Sequence, residues 1–182
     1  MNRLFTLLVL WAIGSNALAA DYRVERSSTL GFTGTFQGEE FNGSFARFEA
    51  QIRYDSSVLD ASSFDVTIDL SSVHTGDSDR DEMLPTAEFF DTSTSATAHF
   101  KTSRFYKSGN EVIASGTLTL KGVSKPVDLN VTFTPVGAGA TLDISTRIKR
   151  LDFGIGTGEY ADTSTIGNDV QIKAHLKLGP KA

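Results

Sequence analysis

Phe41-Asn42-Gly43-Ser44-Phe45-Ala46-Arg47-Phe48-Glu49-Ala50-Gln51-Ile52-Arg53-Tyr54 reads as a strand that changes phase halfway along. Phe41, Gly43 and Phe45 are odd-numbered, whereas Phe48, Ala50, Ile52 and Tyr54 are even. Successive side chains of a strand point to opposite faces, so a strict period of two cannot keep both sets on one side. One extra residue at Ala46-Arg47 can. That is a β-bulge, the device by which a sheet bends enough to close on itself. Gly31, Gly34 and Gly43, set within strand patterns, mark the same tight curvature or close approach.

Outward from this segment the alternation continues almost without interruption. Phe32 and Phe36 share a phase with Leu30, and Phe64 shares one with Val66, Ile68 and Leu70, while Asp65, Thr67 and Asp69 take the other face. The last strand sets Val170, Ile172, Ala174, Leu176 and Leu178 against Asp169, Gln171, Lys173, His175 and Lys177. Strand patterns cover roughly 21–36, 40–54, 62–71, 95–105, 111–121, 126–135, 140–150 and 168–178, about eight in all, which is enough to close a barrel. Short connections such as Lys107-Ser108-Gly109-Asn110 make neighbours antiparallel. The expected fold is therefore all-β, an antiparallel barrel of about eight strands with one short helix in a loop. That helix is read over Asp77 to Leu84, with a capping aspartate, an acidic first turn and Pro85 to end it.

Arg3 before the apolar run Leu4 to Ile13, and Ala17-Leu18-Ala19 after it, read as a secretory signal over 1–19 that is cleaved within a residue of that boundary. One domain then spans 20–182. With no cysteine, its core alone must hold it. Loss of Arg3 from 17 basic residues leaves 16 against 22 acidic ones, a formal charge of −6, which repels nucleic acid and anionic membranes. Alternation alone permits an oily face turned outward into lipid. Such barrels carry Trp and Tyr girdles, yet the one Trp is Trp11 and the Tyr are few and scattered, so the oily face is expected inside a barrel that is not membrane-embedded.

Several stretches in order along the chain resemble the YceI-like family of bacterial periplasmic proteins. They are Ser28-Thr29-Leu30-Gly31-Phe32, Gly43-Ser44-Phe45-Ala46-Arg47-Phe48, Arg80-Asp81-Glu82-Met83-Leu84 with Phe89-Phe90-Asp91, Gly116-Thr117-Leu118-Thr119-Leu120-Lys121-Gly122-Val123-Ser124-Lys125-Pro126-Val127, and Ile148-Lys149-Arg150-Leu151-Asp152-Phe153-Gly154. The resemblance implies a lipocalin-like barrel whose long internal cavity takes a quinone, a polyprenyl phosphate or another long lipid. It implies a carrier, not an enzyme, and no cofactor. Where the family often has a histidine in the first strand, this chain has Phe36, and the segment Gln37 to Glu40 is abbreviated.

The residues themselves leave two readings of the aromatics: they fill a closed core, as in narrow barrels, or they line a cavity. The resemblance favours lining, with Phe32, Phe36, Phe45, Phe48, Phe64, Ile68, Phe89, Phe100, Leu118, Phe133, Ile148 and Phe153 as candidates. Arg80, Arg104 and Arg150 are candidates for a head group, Arg104 being in phase with Phe100 and Arg150 with Ile148; alternatively these side chains simply reach solvent. Asp77, Asp79, Asp81 and Glu88 mimic a calcium-loop spacing, but Glu82 occupies the position that needs glycine. His74, His99 and His175 are far apart, so no metal site is expected. Rival readings remain: an enzyme of envelope lipids or sugars using Glu159, Asp162 or Ser164, or a ligand-free interaction module. Association as a homodimer is also open.

Overall fold

The computed structural model describes residues 19–181, so the expected signal, apart from Ala19, lies outside the described residues. The strands are β1 (Ala20–Val24), β2 (Thr29–Phe36), β3 (Glu39–Phe45), β4 (Phe48–Tyr54), β5 (Ser63–Asp69), β6 (Val73–His74), β7 (Thr97–Ser108), β8 (Glu111–Leu120), β9 (Val123–Val136), β10 (Gly139–Lys149) and β11 (Asp169–Pro180). One helix, α1 (Ser78–Met83), stands in the β6–β7 connection, its first turn capped by the Asp77 carboxylate accepting from the Arg80 N–H.

These strands form a closed, eight-strand antiparallel barrel. β1 and β2 together make one barrel strand, as do β3 and β4, and β1 pairs with β11 to complete the circle. Two interruptions explain the subdivision. Ala46-Arg47 is the phase change read from the sequence, and it leaves Phe45 and Phe48 both against the core. The other is a turn at Arg26-Ser27, where the Ser28 N–H donates to the Glu25 carbonyl. Arg26 shares a phase with Tyr22, Val24 and Leu30. A straight strand would thrust its guanidinium into the apolar interior, so the chain bends outward there.

The oily face is the inner one. Leu142, Phe64, Ile52 and Leu118 are buried, while their neighbours Asp143, Asp65, Gln51 and Thr117 face outward. No helix among the described residues is long and apolar enough to cross a membrane.

The interior differs between its two ends. The lower end, where β4 leads to β5, β7 to β8 and β9 to β10, is filled by rings from different strands. Tyr54 lies 4.6 Å from Phe133 and 6.1 Å from Phe105, and Phe64 meets Phe105 edge-on at 4.8 Å between centroids. Each such pair adds about 0.5–1.5 kcal/mol to the burial of its area. The expected tunnel along the whole barrel is therefore replaced by a solid half and a hollow one.

Candidate ligand-binding cavity

The hollow lies in the upper half, beneath the β2–β3 hairpin, the 70–96 connection and the 150–168 loop. Its volume is about 120 Å³, and its lining is almost wholly apolar. β2 and β3 contribute Leu30, Phe32, Phe41 and Phe45; β5, β7 and β8 contribute Ile68, Ala98, Leu118 and Leu120; β10 and β11 contribute Ile148, Val170 and Ile172. Leu84, Phe89 and Phe90 close it from the helix side, and Ile155 and Ile166 from the loop.

Phenyl rings make one wall. Phe41 lies over Gly34 and Phe32 over Gly43, each glycine being the cross-strand partner of the ring that covers it. A Cβ on Gly34 would stand 2.8 Å from the Phe41 ring, so these glycines let the rings lie flat against the sheet. Phe32, Phe45 and Phe90 follow in a chain with centroids 5.6 and 6.0 Å apart. The Arg80 guanidinium sits 4.0 Å above Phe41, and its nearest acid is Asp77 at 3.7 Å, so it caps a cavity-wall ring from outside.

Among the described residues Arg150 is the one charged group on the lining, and it is buried, with 4% exposure. Its Nε donates to the Gly167 carbonyl at 3.1 Å, Nη1 to those of Ile155 at 2.9 Å and Gly156, and Nη2 to those of Tyr160 and Ile166, both at 2.8 Å. All five donors of the guanidinium are thus taken by carbonyls of the loop that covers the cavity. Desolvation lowers its pKa from the ordinary arginine value, and the carbonyl dipoles stand in for a counter-ion. Gly156 adopts a left-handed backbone, and a Cβ there would approach the Arg150 Nη1 to 2.6 Å, so no larger residue fits.

The candidates fall into distinct groups. Phe32, Phe45, Ile68, Phe89, Leu118 and Ile148 line the cavity together. Phe64 and Phe133 belong to the aromatic fill of the lower end. Phe100 packs over Gly116, Phe153 is buried in the turn Arg150–Phe153, and Phe48 is half-buried where β4 begins; none of these three reaches the cavity. Phe36 is 42% exposed at the hairpin tip, where it bridges to Ile166, and does not line the cavity either. Arg104 points outward over the Tyr106 ring, because the β7–β8 register shifts between Thr102 and Arg104 and reverses the phase set by Phe100. Arg150 staples the loop and keeps no N–H for a head group.

Sequence reading missed Ile155 and Ile166, since a glycine-rich loop has no periodicity to betray an inward residue, and Phe90, whose neighbour Phe89 was preferred. Of the groups named for catalysis, Asp162 and Ser164 form a turn, the Ser164 N–H and hydroxyl both donating to Asp162, which holds that carboxyl below the usual range, while Glu159 is exposed in the turn Gly158–Tyr160. A broader, open depression follows the outward face of β1, β4, β5 and β7. Ion pairs Arg53–Asp21, Arg47–Asp69 and Lys101–Asp65 cross it, a chemistry that suits water and not a hydrocarbon tail.

The profile of the YceI-like domain matches residues 22–178, nearly the whole described chain. The chain belongs to the YceI-like family. A UPF0312 protein of Vibrio cholerae is 32% identical over 162 residues, covering 80% of this chain and 85% of its own length. Protein YceI of Salmonella newport is 30% identical over 164 residues, with 84% and 85% covered. Among solved structures, Burkholderia cenocepacia BcnA superposes on this YceI-like chain with a TM-score of 0.82 and 33% identity, over 85% of this chain and 99% of that one. A polyisoprenoid-binding domain from Saccharophagus degradans, implicated in plant cell wall breakdown, shares the fold at a TM-score of 0.66 and 18% identity, over 90% and 99%.

Proposed function

We propose that this protein is a periplasmic carrier that sequesters an isoprenoid, a quinone or polyprenyl phosphate, or a similar long-chain lipid, in the upper half of its barrel. The observation that carries the reading is the apolar cavity within the barrel, whose one charge among the described residues is already fully hydrogen-bonded. Such a space offers a hydrocarbon tail shelter from water, at about 0.8 kcal/mol for each methylene transferred. Among the described residues its lining carries no carboxylate, thiol, imidazole or lysine, and its one hydroxyl is that of Thr35. That the fold can serve this purpose is supported by its occurrence in a protein described as a polyisoprenoid-binding domain.

At about 120 Å³ the cavity is smaller than the roughly 300–1,000 Å³ of sites that enclose drug-sized ligands. A long tail therefore requires the rings of Phe32, Phe45 and Phe90 to turn aside. Rings that touch one another at a tilt are suited to this, since each can exchange a ring contact for a tail contact. The N-terminal stretch Arg3, Leu4 to Ile13 and Ala17-Leu18-Ala19 supports export to the periplasm.

Native mass spectrometry of protein purified from a bacterial periplasm without detergent tests the reading. A mass increment matching one isoprenoid or long-chain lipid is expected. Protein that carries no lipid, and takes none up from an envelope extract, contradicts it.

A further inference from the structure

Three routes lead into the hollow half, and the structure treats them differently. The upper end is knitted shut. Beyond the Arg150 staple, Lys121 Nζ donates to the carbonyls of Ala87 at 2.6 Å and Gly154 at 2.9 Å, and the Gly156 N–H donates to the Glu88 carbonyl at 2.7 Å. The β2–β3 hairpin is tied to the same loop, with Gln37 N–H on the Thr165 carbonyl and Gly167 N–H on that of Thr35. The lower end is filled by Tyr54, Phe64, Phe105 and Phe133.

The third route is the seam between the first two barrel strands. β1 pairs with β4 from Ala20↔Tyr54 to Arg23↔Gln51, and β2 with β3 from Gly31↔Ser44 to Phe36↔Glu39. Between these two ladders, Glu25 to Thr29 on one side and Ala46 to Glu49 on the other share no register pair and no backbone hydrogen bond among the described residues. At about 3.3 Å per residue the four unpaired residues of the second side run for roughly 13 Å. Each side is instead held by its other neighbour. Glu25 N–H donates to the Lys177 carbonyl, Ala46 N–H to that of Ser72, and Phe48 pairs with Ile68. The outward depression reaches both sides of the seam. Val24, Phe45, Phe48 and Ala50 are only half-buried there, whereas Ile52 and Tyr54 farther along β4 are 2% and 3% exposed. Phe45 borders the seam and is also a wall of the cavity.

We propose that an apolar tail passes into and out of the cavity sideways, through this seam, with Phe45 and Phe48 as the side chains that part, while the stapled upper loops stay closed. The proposal rests on the carrier reading above and names the route that reading requires. Parting Glu25–Thr29 from Ala46–Glu49 breaks no backbone hydrogen bond between them. Opening the upper end breaks the Arg150, Lys121 and Gly156 bonds together.

The chain has no cysteine, so pairs can be introduced cleanly. Glu25→Cys with Glu49→Cys spans the seam on its outward face, and Glu88→Cys with Thr157→Cys spans the upper loops. Each pair is joined by a bifunctional maleimide with a cleavable linker. Uptake of geranylgeraniol from phosphatidylcholine vesicles is then followed by native mass spectrometry at timed intervals. We expect the seam crosslink to slow uptake at least tenfold, cleavage of the linker to restore it, and the upper crosslink to leave it within twofold of the uncrosslinked protein. Slowing by the upper crosslink alone, or equal rates in both crosslinked forms, overturns the seam route and leaves the carrier reading standing. Failure of the uncrosslinked protein to take up the probe at all overturns both.

Discussion

The two halves of this barrel are built from the same alternating strands, yet one is solid and the other hollow. In the lower half, rings from β4, β5, β7 and β9 meet at centroid distances of 4.6 to 6.3 Å and exclude everything else. In the upper half the wall rings of Phe32, Phe41 and Phe45 come from β2 and β3 alone, and the facing strands offer smaller aliphatic groups such as Ala98 and Val170. Aromatics that converge from opposite barrel strands make a core, and aromatics that face aliphatic strands, as Phe32, Phe41 and Phe45 do, leave a gap. The solid half carries the stability that the hollow half forgoes.

Substitutions in the two halves should therefore behave differently. Phe64→Ala, at 1% exposure in the solid half, should cost about 3–5 kcal/mol in denaturant unfolding, with lipid uptake by the folded fraction unchanged. A loss below about 1 kcal/mol would mean that the lower end is not tightly packed. Arg150→Lys keeps the charge but brings at most three donors to five carbonyl bonds. It should cost about 1–3 kcal/mol and raise hydrogen exchange selectively in residues 151–167. Exchange unchanged in that loop would refute the staple.

Phe32→Ala removes a half-buried ring from the hollow half and should cost no more than about 1–2 kcal/mol. Uptake of a long tail should persist or improve, because the ring is one that a tail displaces. Loss of uptake with stability intact would show Phe32 to be a required contact. The smallest effect is electrostatic. Asp81 ties α1 to the end of β6 by accepting from the Thr75 hydroxyl and N–H and pairing with His74, and the Thr75 hydroxyl chiefly holds its carboxyl below the usual range. A depressed acid stabilises the fold above its unfolded pKa and loses that contribution as pH falls through the folded value. Thermal stability should therefore be insensitive to pH near neutrality, where the contribution of Asp81 is fully present, and decline below about pH 4, with Asp81→Asn less stable near neutrality and showing a shallower decline. Identical acid limbs in the two proteins would contradict this.

Much of the architecture was legible because burial on one face imposes a period that survives in the sequence. The phase change between Phe45 and Phe48 was readable, and it is real. The equivalent slip before Phe105 carries the same signal, an odd-numbered ring after even-numbered Phe100, but it falls at the last residue of the pattern 95–105, where one ring sets no period, so Arg104 could be read toward the mouth or toward solvent. The turn at Arg26 leaves Tyr22, Val24 and Leu30 in one phase, so periodicity alone could not show it; only the charge at an inward position could. Which half is hollow depends on aromatics from different strands arriving at the same height, and spacing along one strand says nothing of that. Nor could the sequence show that Arg150 finds its partners among the carbonyls of its own following loop.

The most direct test is the dissociation constant measured by calorimetry along a series of polyprenols of increasing length. The hollow-half account predicts that affinity rises with each added isoprene unit until the upper cavity is filled, and is level beyond it, because the aromatic fill admits nothing further. Equal affinity for the shortest and longest members would contradict it.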